Sequence, residues 1–275
     1  MRRLGAHLSI AGGLYRAVER MVKMGGNCLQ VFSASPKSWE PPTIAGRIPA
    51  AARPGFIHAK YLINLASDNP ELLKKSIASL KYDLRVADLI GAVGVIVHLG
   101  SHQGRGFEAV KTELISSINN ILQASQGKAR LIIENSAGQQ GKLCSQLLEI
   151  KLILESVDSH KLAWCLDTCH SFNAGYSLGK ASENTLMHSD IVSEAKKLGI
   201  LSQLVCLHVN DSRDEFGSGH DRHANLGEGK MGLKLLSQYV NHPKLKHLPL
   251  IIETPGFDKS GPDKKNLDIL KSLCV

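Results

Sequence analysis

The residues of this chain that could do chemistry gather between Leu204 and Gly229. A short apolar run, Leu204-Val205-Cys206-Leu207, ends on His208 and is followed by Asn210, Asp211, Asp221 and His223. Imidazoles and carboxylates of this kind are the common ligands of divalent metal ions. Asp221 and His223 are two apart, so in an extended segment both leave on one face and can meet a single ion, while Arg222 points away. A second apolar run, Leu162 to Leu166, ends on Asp167, with His170 three residues later, one helical turn away. The same unit recurs along the chain. Leu4 to Ala6 ends on His7, Phe56-Ile57 on His58, Val93 to Val97 on His98, Leu131 to Ile133 on Glu134, and Leu250 to Ile252 on Glu253. A lone histidine or glutamate at a strand end is an ordinary structural residue, but seven are costly to cluster unless they are paired or bind a cation.

The elements that must position these residues follow from periodicity. With Cys28 to Phe32 as a second strand, the apolar runs number eight. Helical spacing fills the intervals at Leu14 to Met24, Pro70 to Ile90, and about Glu108 to Gln123, Leu143 to Glu155, Asn184 to Leu198, Gly232 to Val240 and Asp263 to Leu273. Pro36, Pro41, Pro42, Pro49 and Pro54 exclude a long helix between the second and third strands. Eight strands alternating with helical segments and no linker predict one domain over residues 1–275, a (β/α)8 TIM barrel with its site at the C-terminal ends of the strands. A barrel brings all eight strand ends to one mouth, whereas an open sheet would scatter the seven residues along an edge.

Composition narrows the setting. The chain has 275 residues, 43% of them hydrophobic, enough for a full core. A net charge of +8 and a pI near 9.2 favour a polyanionic partner. No apolar stretch suffices to cross a membrane, Gly5, His7, Ser9, Gly12 and Gly13 interrupt any secretory leader, and six cysteines without a C-x-x-C pair fit the cytoplasm. Two patterns mislead. Gly227 to Gly232 matches G-x-G-x-x-G but follows no strand, so it reads as a loop entering a helix, and Cys169 beside His170 reads as packing.

Longer motifs carry a resemblance. Gly5-Ala-His7 with Gly12-Gly13-Leu14, His58-x-x-Tyr61-Leu-Ile-Asn64-Leu, His98-Leu-Gly-Ser-His102, and Ile133-Glu134-Asn-Ser-Ala-Gly138-Gln are followed in order by Leu166-Asp167-Thr-Cys-His170, His208-Val-Asn210-Asp211-Ser, Asp221-Arg-His223-x-Asn-Leu-Gly-Glu-Gly229, and Ile252-Glu253-Thr254-Pro. Together they resemble endonuclease IV, the zinc-dependent abasic-site endonucleases of base excision repair, over nearly the whole chain.

The resemblance implies three zinc ions. His58, His98 and Glu134 would hold one, Glu134, Asp167, His208 and Glu253 a second with Glu134 bridging, and His170, Asp221 and His223 the third. It further implies Glu134, Asp167, His208 and Glu253 as catalytic, His7 and Asn210 as further active-site residues, and Lys37, Tyr61, Leu62 and Arg222 as DNA contacts. The activity implied is hydrolysis of the phosphodiester 5′ to an abasic site in double-stranded DNA, leaving a 3′-hydroxyl and a 5′-deoxyribose phosphate, with removal of 3′ blocking groups, by a monomer. Clustered cations suit this chemistry because charge builds on the attacking, leaving and non-bridging oxygens. The segment between Phe32 and His58 is shorter and less helical than is usual in that family, and Lys37 stands where arginine is common. The alternative is a xylose-isomerase-like sugar isomerase or epimerase, which needs fewer ligands and gains little from a basic surface.

Overall fold

The computed structural model describes residues 2–40, 46–53, 55–178 and 190–275. Eight parallel strands close on one another: β1 (Leu4–His7), β2 (Cys28–Phe32), β3 (Gly55–His58), β4 (Gly94–Val97), β5 (Arg130–Glu134), β6 (Leu162–Asp167), β7 (Leu204–His208) and β10 (Leu250–Ile252). Each barrel strand pairs with its neighbours in sequence order, and β10 returns to β1 with Leu4 opposite Leu250. Two short strands, β8 (Asp211–Ser212) and β9 (His223–Ala224), form an antiparallel pair over the mouth.

The helices α1 (Leu14–Met24) and α2 (Pro70–Ile90) occupy the ranges their periodicity predicts. Asn69 caps α2 by accepting from the N–H groups of Glu71 and Leu72, and Pro70 fills the first turn, where no N–H is needed. The ring of helices continues with α3 (Phe107–Gln123), α4 (Leu147–Val157), α5 (Thr168–Asn173), α6 (Ile191–Lys197), α7 (Gly232–Asn241) and α8 (Lys264–Leu273). Asp263, read as the first residue of α8, is its N-cap and accepts from the N–H of Asn266.

Helix α4 starts four residues later than its apolar pattern suggests. The Leu143 N–H bonds the Gly100 carbonyl at 2.9 Å, Lys142 bridges Ser101, and Cys144 takes a left-handed φ of 67°. The chain thus crosses the barrel mouth before it turns helical. Between β2 and β3 the described residues hold one short 3₁₀ turn, Ala50–Ala52, as the proline density requires. Pro41, Pro42, Pro54, His188 and the expected helix start at Asn184 lie outside the described residues.

Two apolar clusters hold the barrel. The larger fills the space between strands and helices. The smaller lies inside the barrel and comprises Cys28, Phe56, Ile96, Ile132, Ala163, Cys165, Cys206 and Ile251. Side chains alternate along a strand, so the residue two places beyond an interior one also points inward. From Phe56 that residue is His58, from Ile96 His98, from Ile132 Glu134, from Cys165 Asp167, from Cys206 His208 and from Ile251 Glu253. The apolar plug therefore aims the site.

Candidate active site

The seven strand-end residues meet His170 of α5, Asp221, and His223 of β9 at the mouth. His58, His98 and Glu134 form one group of donors, and Glu134, Asp167, His208 and Glu253 form another, each with its donor atoms within 4.8 Å of one another. The two oxygens of Glu134 face different groups. Oε2 lies 3.2 Å from His58 Nε2 and 3.3 Å from His98 Nε2, whereas Oε1 lies 3.0 Å from His208 Nδ1. A third set surrounds Asp221, whose Oδ1 is 2.9 Å from His170 Nε2 and 3.7 Å from His223 Nε2, with 3.4 Å between the two imidazoles. His223 and Asp221 do converge, as their spacing predicts. Asp167 and His170 also come together over one turn as expected, their donor atoms and that of His223 lying within 4.8 Å of one another. The Asp167 carboxylate caps α5 by accepting the His170 N–H, and the imidazole of His170 turns onward to Asp221.

Buried groups behind the donors fix their tautomers. A carbonyl oxygen only accepts, so Nδ1 of His58 donates to Ala59 O and Nδ1 of His170 to Asn135 O, leaving Nε2 of each open to the mouth. Gln30 does the same for His208. Its amide nitrogen donates to Glu253 Oε1, which sets its Oε1 2.9 Å from His208 Nε2, so that nitrogen carries the proton and Nδ1 faces Glu134. Asn210 donates to Asp167 Oδ2 at 2.6 Å and accepts the Glu253 N–H at 2.8 Å. His7 Nδ1 stands 3.1 Å from Glu253 Oε1. Expected as active-site residues, Asn210 and His7 thus act on ligands from behind.

Gln30 is the residue that sequence reasoning missed. The available signal was its place two residues beyond Cys28, which makes it a polar side chain on the interior face of β2. Asp211, by contrast, has a ligand's chemistry and a different task. Its buried carboxylate accepts backbone N–H groups from Gly227, Gly229 and Met231. The glycine pattern at 227–232 therefore wraps an internal anion, and a Cβ on Gly229 would lie 2.4 Å from Asp211 Oδ1.

The electrostatics are those of interlocked opposite charges. Burial pulls His170 and His208 down, but Asp167 and Asp221 around the first, and Glu253 and Glu134 around the second, lift both well above the ordinary histidine range. Burial pushes Glu134 and Glu253 up, yet His98 and His208 beside the first, and His208 and His7 beside the second, hold both well below the carboxylate range. His98 is drawn down to about 4 by burial. Imidazolium here does the work of a cation, and removing those protons leaves four carboxylates that need one. The donor set fits a divalent ion that accepts imidazole and carboxylate together. Cys169 is buried, which pushes its thiol up to about 12, so it packs as its sequence context suggests.

Of the expected DNA contacts, Tyr61 and Leu62 line the pocket at the mouth. Tyr61 is 64% exposed, its ring edge-on to Phe32 at 5.2 Å, and Leu62 is half-buried beside it. Lys37 is exposed. Arg222 is exposed too, turned from the metal-ligand face and paired with Asp214. Of the unassigned histidines, His102 accepts the Gly106 N–H and His220 lies 3.5 Å from Asp214.

Comparison with known proteins adds three findings. Residues 18–273 match the model of a family described as xylose isomerase-like TIM barrel. A protein of Halothermothrix orenii named probable endonuclease 4 is 36% identical over 279 residues, 98% of this chain and 99% of that one. The crystal structure of endonuclease IV from Thermus thermophilus superposes with a TM-score of 0.80 at 34% identity, covering 98% of both chains. A D-tagatose 3-epimerase-like protein shares the fold alone, with a TM-score of 0.70 at 16% identity over 98% of this chain and 96% of that one.

Proposed function

We infer the chemistry of this chain from one premise: the chain belongs to the endonuclease IV family of xylose isomerase-like TIM barrels. It is an abasic-site endonuclease, a hydrolase. Our proposal for its detailed activity is hydrolysis of the phosphodiester 5′ to an abasic site in duplex DNA, giving a 3′-hydroxyl and a 5′-deoxyribose phosphate, together with removal of 3′ blocking groups. The chain works as one unit and a monomer, with three zinc ions. The observation that carries this reading is Glu134, whose two oxygens face two different donor groups, an arrangement that would suit a carboxylate shared between two cations.

His58, His98 and Glu134 would hold the first ion, Glu134, Asp167, His208 and Glu253 the second, and His170, Asp221 and His223 the third. Zinc held there would supply positive charge against the phosphate oxygens and lower the pKa of water towards neutrality. The chain's own residues do the rest. Gln30, Asn135 and Ala59 keep protons on the rear nitrogens of His208, His170 and His58, so the forward nitrogens present lone pairs. Asn210 and His7 hold Asp167 and Glu253 in place. Tyr61, exposed over the mouth, and the half-buried Leu62 beside it wedge into the duplex at the lesion. A nucleotide lacking its base leaves the stack at the smallest cost, and the two side chains fill the gap it vacates. Lys37 and Arg222 attract phosphates, Lys37 as a point charge without the planar fork of arginine.

The sugar isomerase alternative shares the fold, but a third donor set around Asp221 and a net charge of +8 serve it poorly. The test is end-group analysis of a duplex with one synthetic abasic site. Hydrolysis as proposed yields a 3′-hydroxyl that a polymerase extends directly. A 3′-unsaturated aldehyde, the mark of β-elimination, would refute it.

A further inference from the structure

The three donor sets are not equal in charge. Those sharing Glu134 draw on the carboxylates of Glu134, Asp167 and Glu253, whereas the third has Asp221 and only the far oxygen of Asp167, 3.7 Å from His223 Nε2, and one oxygen of Asp221 is already taken. Asp221 Oδ1 faces His170 and His223, but Oδ2 lies 3.0 Å from the Lys142 ammonium. The root of that lysine is fixed. Its N–H donates to Gln139 O at 3.1 Å, its carbonyl accepts from Ser136 Oγ at 3.4 Å, and its backbone bridges Ser101. The side chain is one-third exposed at the edge of a cavity of about 580 Å³ that opens between the β3, β4 and β5 loops.

We propose that Lys142 is a positioning residue that competes with the third cation for Asp221, so that the ion held by His170, Asp221 and His223 is the last to load and the first to leave. This rests on the three-ion reading above. With neutral imidazoles, Asp221 and Lys142 sum to no net charge, so a dication entering the third set meets no net attraction from them. The first and second sets offer theirs without an opposing ammonium. For the third ion to bind, the lysine must stay and repel it or swing out on its flexible stem and give up the ion pair. The swing is the smaller cost because the pair is partly exposed, and it sets the expected effect at about tenfold in affinity.

The experiment is a zinc titration of the metal-free protein against a chromophoric chelator, for the wild type, Lys142→Gln and Lys142→Arg. Three ions should bind the wild type, one more weakly than the others. Lys142→Gln should tighten the weakest by about tenfold and leave the other two unchanged, which also reports that the barrel is intact. Lys142→Arg, which keeps the charge, should behave as the wild type. A weakest ion held equally by the wild type and Lys142→Gln overturns the competition. So does one held more loosely by the variant, which would mean that the lysine only steadies Asp221. If neither protein takes a third ion, the three-ion reading falls and this proposal with it.

Discussion

Replacing Gln30 with methionine tests whether the groups behind the ligands set the properties of the site. The side chain is fully buried, so an isosteric apolar residue keeps the packing while deleting the hydrogen bonds to His208 Nε2 and Glu253 Oε1. Both partners belong to the central donor set. Hydrogen bonds to charged groups contribute about 1.5–3 kcal/mol each, and part of each survives as the freed ligand finds other company. A net loss of about 1.4–2.8 kcal/mol corresponds to roughly 10–100-fold weaker binding of the central ion, the range expected for groups that orient metal ligands. Competitive zinc titration reads this directly, and the melting curve of the metal-free protein separates it from unfolding. A Gln30→Met protein that binds zinc and cuts abasic duplex as the wild type does would refute the role assigned to Gln30.

Further outcomes follow from other parts of the molecule. Tyr61→Ala and Leu62→Ala should lose more activity on an abasic duplex than on a flexible single-stranded abasic oligonucleotide at unchanged zinc content, and equal losses would reduce both residues to supports of His58. Affinity for the duplex should fall steeply as salt rises, with a log-log slope of roughly −0.9 per neutralised phosphate, and a flat response would remove DNA as the principal partner. Asp83 is buried with Oδ2 unpartnered among the described residues, and burial pushes its carboxyl up to about 6 from 3.8. The folded chain therefore binds that proton more tightly than the unfolded one, so the stability it contributes is complete below about pH 4 and is lost as pH rises through 6. Asp83→Asn keeps the acceptor for Ser33 and should be neutral at pH 4 but stabilising by roughly 1–3 kcal/mol at pH 8, checked by denaturant unfolding at both.

Much of the site was legible because its chemistry interrupts a strong pattern. An apolar run that ends on His208 or Glu134 cannot hide a charged residue by accident, and the alternation from Cys206 or Ile132 determines which way it points. Gln30 escaped because an amide is no metal ligand and one polar residue inside Cys28 to Phe32 does not disturb a buried strand. Asp211 misled in the opposite sense. Its residue type suggests a ligand, and only the folded loop shows the N–H groups of Gly227, Gly229 and Met231 turned towards it. The late start of α4 was hidden for a similar reason, since Leu143 and Cys144 have the spacing of a helix but are held by the Gly100 loop across the mouth. Spacing reports which face a side chain takes, while pairing between distant loops decides where an element begins.

The most direct measurement is incision of a duplex carrying a single abasic site by protein whose zinc has been counted, before and after chelation, alongside Glu134→Gln. Glu134 faces two donor groups, so its loss should weaken two ions together. The expected result is close to three zinc ions per chain, cutting that chelation abolishes and added zinc restores, and a folded Glu134→Gln protein that holds fewer ions and is nearly inactive. One ion or fewer in protein never exposed to chelator, or cutting that survives complete removal of metal, would contradict it.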